Sequence, residues 1–154
     1  MKKLISLLIV GILLSMIIFF ESRVSMPAAI FTINGQIVPT VQGSYCWDGV
    51  LQSVCSDAPT PEILWKKKEI EAVYVHPGDR VKLTFTRTPF ENSIHVANWS
   101  NDQENTAVLD GNYLVLPEKR GVYIYVVSAK WERGSSAFTF MVEVEGRDEA
   151  KNFT

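Results

Sequence analysis

Few side chains in this 154-residue chain are of a type that does chemistry. Cys46 and Cys55 are the only cysteines, and His76 and His95 the only histidines. By type these four could form a zinc set, but the close ligand spacings of zinc motifs are absent. A blue-copper centre needs a Cys, a His and a Met clustered near the C-terminal strands. Here the cysteines come early and Met141 stands alone. For hydrolysis, the chain has neither a Gly-x-Ser-x-Gly elbow nor a local Cys/His signature. Its carboxylates are scattered over turns and strand ends, where solvated acids are ordinary. His76 falls in a turn, and His95 shares a strand face with Ala97 and Trp99. The expectation is no catalytic residue, no metal and no cofactor, in a protein that is not an enzyme.

The cysteines read differently as a pair. No Cys-x-x-Cys is present, so a redox role is not expected. Outside the cytoplasm, two cysteines at this spacing pair as a disulfide. Closing the segment between them is worth about 2–3 kcal/mol on the chain-entropy model. The pair is too close in sequence for the bridge that joins the two sheets of an antibody domain, so it is a local staple. The closed segment carries Trp47 and Asp48. Either the staple preorganises a contact surface around them, or Trp47 packs into the end of the domain and the bridge is structural. Trp65 and Trp99 are the aromatics expected to be partly exposed. Trp47, Asp48, Trp65 and Trp99 are therefore the candidate binding residues.

The pairing argument depends on compartment, which the first residues address. Leu4 to Phe20 holds 17 residues without a charge, with Lys2 and Lys3 before it and Glu21 after it. That is a positive n-region followed by a long apolar region. It exceeds the roughly 7–15 residues usual in a cleaved signal and reaches the roughly 17–25 that span a bilayer. Small residues are not well placed for cleavage; the best site, after Ala28, has Met26 and Pro27 before it. No lipobox cysteine follows. The expectation is a signal anchor over residues 1–26, with a transmembrane helix at about 4–20 and the lysines inside. The chain is then single-pass in the cell membrane with its C-terminal domain outside; secretion after cleavage is the alternative. Setting aside those 26 residues, with three basic and one acidic side chain, takes the net charge from −2 to −4. No basic stripe is present, so nucleic acid is not an expected partner. The membrane is expected as a partner, as is another envelope protein or a cell-wall component.

The elements that must position these residues alternate on a period of two. Val81, Leu83 and Phe85 alternate with Lys82 and Thr84, and Phe138, Phe140, Val142 and Val144 with Thr139, Met141 and Glu143, as in half-buried strands. Val122 to Trp131 starts apolar on both faces, as a central strand does. Further strands are expected at Ala29–Ile33, Gln36–Val41, Ala72–Val75, Ser93–Trp99, Thr106–Leu109 and Tyr113–Leu116. Asn34-Gly35, His76-Pro77-Gly78-Asp79, Asp110-Gly111-Asn112 and Glu132-Arg133-Gly134 mark turns. Lys66-Lys67-Lys68 is expected on an edge strand, where lysines oppose sheet-to-sheet pairing. Tyr123, shortly after Gly121, has the setting of a tyrosine corner. Asn98 and Asn152 head sequons that are not read as glycosylation sites. No helix is expected after residue 20. The fold class is all-β, an immunoglobulin-like two-sheet β-sandwich over residues 27–147, preceded by one N-terminal hydrophobic helix. A barrel is the alternative, and residues 148–154 form a frayed tail.

Several stretches taken together carry a resemblance. They are Thr40-Val41-Gln42-Gly43-Ser44-Tyr45-Cys46-Trp47, Cys55-Ser56-Asp57-Ala58-Pro59, Pro77-Gly78-Asp79-Arg80-Val81-Lys82-Leu83, Gly121-Val122-Tyr123-Ile124-Tyr125, Ala129-Lys130-Trp131 and Phe138-Thr139-Phe140. Over roughly residues 30–145 the chain resembles a group of small extracytoplasmic proteins of Bacillus-type Firmicutes. That resemblance implies a cell-surface location and a sandwich-like domain behind a signal or lipid anchor, and it brings no catalytic residue. The function expected is a non-catalytic, membrane-anchored extracytoplasmic binding domain. The alternative is a proteinase-inhibitor-like or envelope-stress protein that acts through the disulfide-closed loop.

Overall fold

A computed structural model describes residues 2–49, 52–100, 103–107 and 109–145 of the chain. A helix, α1 (Lys2–Val24), precedes a region dominated by short strands. These are β1 (Ala29–Ile33), β2 (Gln36–Val38), β3 (Val41–Asp48), β4 (Ser53–Ser56), β5 (Val73–Val75), β6 (Arg80–Phe85), β7 (His95–Ser100), β8 (Gln103–Thr106), β9 (Leu109–Asp110), β10 (Tyr113–Val115), β11 (Gly121–Trp131) and β12 (Gly134–Val144). A second helix, α2 (Pro61–Lys68), lies between β4 and β5.

The strands form two sheets with separate hydrogen-bond networks. One has the order β2-β1-β6-β10-β9 and is antiparallel throughout. The other runs β4-β3-β12-β11-β7-β8. In it β12 pairs with β3 near its start and, in parallel, with β5 at its end. Two networks with open edges do not make the closed barrel considered as an alternative.

Alternation explains how the sheets meet. Phe31, Ile33, Val81, Leu83 and Leu114 of the first sheet are buried, as are Tyr125, Val127, Phe138, Phe140 and Val142 of the second. Ring contacts cross between them. Phe31 meets Phe140 at 5.6 Å, and Phe85 meets Trp131 at 5.4 Å and Phe138 at 5.9 Å between centroids. Each buried large apolar side chain contributes about 1.5–3 kcal/mol by leaving water. The architecture is thus mostly β, two sheets face to face around one apolar core.

Local chemistry sets the connections. Asn34 and Gly35 both have positive φ, 50° and 83°, as a two-residue type I′ hairpin requires. The Tyr123 hydroxyl donates to the Lys119 carbonyl at 2.9 Å, the contact that defines a tyrosine corner.

Several expectations need correction. The single strand expected over Gln36–Val41 is broken at Pro39, which has no N–H for a ladder, giving β2 and β3. The strand expected over Thr106–Leu109 is instead two pieces in different sheets, because the chain crosses from β8 to β9 there. Ser93 stays out of β7; its hydroxyl donates to the Phe90 carbonyl at 2.8 Å and closes a turn. A helix does occur after residue 20. In α2, Pro61 suits the first turn, Glu62 the positive end of the dipole and Lys66, Lys67 and Lys68 the negative end. Those lysines therefore belong to a helix terminus and not to an edge strand.

In α1, the apolar side chains from Leu4 to Met16 are exposed, ten of them large. Among the described residues no helix is long and apolar enough to cross a membrane. Side chains 17–20, the rest of the expected span, lie outside the described set, as do residues 146–154, which include the expected tail.

Candidate binding cleft

The Cys46–Cys55 disulfide is formed. It joins residues directly opposite one another, so the stapled segment is a β3–β4 hairpin rather than an open loop. Asp48 organises the end of that hairpin. The Ser53 hydroxyl donates to its carboxylate at 2.5 Å, and its own N–H donates to the Arg133 carbonyl at 2.7 Å. Arg133 sits in the two-residue turn between β11 and β12 and answers in kind. Its guanidinium donates to the carbonyls of Asp48 and Gly49, both at 2.8 Å. The two hairpin tips are thereby tied together. Gly134 makes this approach possible. Its φ is 144°, and a Cβ there would lie 2.0 Å from the Cys46 carbonyl oxygen.

Behind the tips lies an aromatic cleft of about 400 Å³. Trp47 and Trp131 form its inner wall, each only 7% exposed and 6.2 Å apart edge to face. Trp131 is fixed by its indole N–H, which donates to the Arg87 carbonyl at 3.0 Å. The Arg87 guanidinium lies over the Trp47 ring, 5.8 Å from its centroid, and donates to the Ser25 hydroxyl at 3.1 Å. Phe90 is 55% exposed at the rim. The loop that carries it is held by Phe90 N–H to the Lys130 carbonyl at 2.8 Å and by Ser93. Thr88 and Glu132 complete the lining. The volume is in the range of small-ligand pockets, roughly 300–1,000 Å³. Indole faces and guanidinium groups suit an apolar ring or an anionic group. The lining holds no cysteine, serine or histidine nucleophile.

The four candidate binding residues separate here. Trp47 and Asp48 belong to the stapled hairpin, and Trp47 is a packed wall of the cleft rather than a displayed ring. Trp65 is 3% exposed, correcting the expected partial exposure: α2 lays it on the outer face of the second sheet, where its N–H donates to Thr139 Oγ1 at 2.9 Å. It lines a groove of about 540 Å³ with Glu62, Ile124 and Met141. Trp99 is half-buried in β7, opposite Ile124 of β11, and its N–H has no partner among the described residues. A third hollow, about 370 Å³, is lined by Asn98, Asp110 and Tyr125 among others. Burial, with the neighbouring Tyr123, pushes the Tyr125 hydroxyl up to about 12.

His76 is in the turn before β6, its N–H bonded to Asp79 at 2.9 Å, and His95 begins β7; neither lines any of these three hollows. Among the described residues no three His, Cys, Asp or Glu side chains gather as a metal site.

Sequence reasoning missed Arg87, Phe90, Trp131 and Arg133. Trp131 carried a usable signal: it has the inward parity of Tyr125 and Val127 and directly precedes a turn. Arg87 carried none, because only the sheet packing brings it to Trp47. Comparison with protein-family models, with curated proteins and with solved structures finds no match to this chain.

Proposed function

We propose that the chain is a membrane-anchored, extracytoplasmic binding domain without catalytic activity, whose binding site is the Trp47–Trp131 cleft. The observation that carries this reading is the cleft itself: an aromatic wall and two guanidinium groups, preorganised by two hairpins, one stapled by the disulfide and both tied together by Arg133. Preorganisation of this kind lowers the ordering cost of binding. The anchor is residues 1–26, with the span at about 4–20. The uncharged block Leu4–Phe20 supports it, as do the exposed apolar side chains of α1, which would otherwise face water at a large cost. The disulfide fits a location outside the cytoplasm. The immunoglobulin-like reading of the two sheets belongs to this proposal and draws on the Tyr123 corner. So does kinship with the extracytoplasmic Bacillus-type proteins. Another envelope protein or a wall component fits as ligand.

Photo-crosslinking of the full chain in living cells tests the reading. A benzophenone side chain at Thr88, on the cleft rim, should yield a discrete adduct that the same probe at Lys67 on α2 does not. Equal labelling at both positions, or none at Thr88, would remove the cleft as the site. The inhibitor reading uses the same hairpin: stoichiometric inhibition of a secreted protease by the full chain, abolished in Cys46→Ser/Cys55→Ser, would favour it instead.

A further inference from the structure

The junction of α1 with the domain decides which part of the domain lies nearest the apolar block. The residues that follow the helix are tied at once to the domain. Ser25 accepts from Arg87, and Met26 sulfur accepts from Gln42 at 3.2 Å. The Ala28 N–H donates to Thr86 Oγ1, and the Thr86 N–H donates to the Ala28 carbonyl, both at 2.9 Å. No slack chain therefore separates helix from domain. Four helical residues, Glu21 to Val24, lie between the apolar block and Ser25, a rise of about 6 Å. The headgroup layer on one side of a bilayer is of the same order, about 5–8 Å. Arg87 lies at the end of the domain that bears Trp47, Trp131 and the Phe90 loop.

We infer that this end of the domain rests on the phospholipid headgroup layer, with the Phe90 ring inserted at the interface. The inference rests on the membrane anchoring proposed above and specifies which edge of the domain meets the bilayer: the Phe90 rim, with the cleft beside the lipid surface and not sealed by it. Phe90 has the required form: a large apolar ring, 55% exposed, on a loop held by backbone bonds to Lys130 and Ser93. Phe is among the side chains that interfacial segments bury at the headgroup–acyl boundary. Around it Arg87, Lys130 and Arg133 are largely offset by Glu91 and Glu132, so the contact depends on the apolar ring more than on lipid charge. The opposite end of the molecule gives a built-in control. Tyr74, 66% exposed, lies on β5 beside the C-terminal end of β12. The eight residue steps of β12 from Ser135, opposite Lys130, to Glu143, opposite Tyr74, place it about 26 Å away.

The test uses the full chain in phosphatidylcholine vesicles, with and without bromine on the acyl carbons near the glycerol. Phe90→Trp and Tyr74→Trp each add an indole at an exposed position, where folding is insensitive; equal melting temperatures check that. Read as the difference from the parent chain, which has four tryptophans of its own, the added emission of Phe90→Trp should lie at shorter wavelength and be mostly lost in brominated vesicles, while that of Tyr74→Trp is kept. Vesicle flotation is scored on the same samples. A chain that floats with neither indole quenched, or with both quenched alike, overturns the inference and leaves anchoring intact. A chain that does not float overturns the anchoring, and the inference with it.

Discussion

At position 47 an indole is enclosed by Trp131 and covered by the Arg87 guanidinium, so its removal leaves a hole under the cleft. Trp47→Ala should lower stability by about 3–5 kcal/mol, the usual cost of deleting a buried aromatic, measured by urea unfolding. An unchanged midpoint would mean that the ring is displayed rather than packed. Gly134 sits under a different constraint. Any Cβ would collide with the Cys46 carbonyl, so Gly134→Ala must push β3 and β12 apart. It should cost about 3 kcal/mol, the upper end for such strain, whereas Gly111→Ala, with open space around it, should cost less. A smaller loss at 134 than at 111 would refute the close approach. Tyr125 makes stability depend on pH. Its proton is held to about 12 in the folded chain against an ordinary 10. Below pH 10 both states keep it and the stabilisation is complete; as pH rises toward 12 the unfolded chain ionises first and the stabilisation is lost. Tyr125→Phe should therefore lose less stability between pH 10 and 12 than the parent chain, and parallel curves would contradict this.

Among the elements, the β3–β4 hairpin is the one whose stability can be addressed separately. Cys46 and Cys55 are both exposed and lie outside the apolar core cluster. The double variant Cys46→Ser/Cys55→Ser should cost about 2–3 kcal/mol of loop-closure entropy and still unfold cooperatively in urea. Loss of any cooperative transition would show that the staple carries the fold. Elements with clear alternation were legible from residue types: β6 buries Val81 and Leu83, and β12 buries Phe138, Phe140, Val142 and Val144, as expected. The hairpin was hidden because Cys46 to Cys55 lacks that alternation. α2 was hidden because eight residues give barely two turns, and only Pro61, Leu64 and Trp65 in it are buried. Its terminal signals, Pro61, Glu62 and the three lysines, were present but local. The cleft was the least legible feature. Its wall joins Trp47 to Trp131 through the β3–β12–β11 register, and Arg87 enters from the other sheet. No window of sequence contains those neighbours together.

For the whole molecule, one arrangement accounts for the separate features: a helix with exposed apolar side chains, held by a few residues to the end of the domain that bears the cleft. If that helix lies in a bilayer, its exposed leucines and isoleucines need no protein partner, and the cleft is held near the surface where its ligand would be met. The most direct measurement is alkaline carbonate extraction of membranes from cells that make the full chain, with intact mass read under non-reducing conditions. The chain should stay in the membrane fraction at full length, two hydrogens lighter than its reduced form. Full-length chain released into the soluble fraction would contradict membrane anchoring.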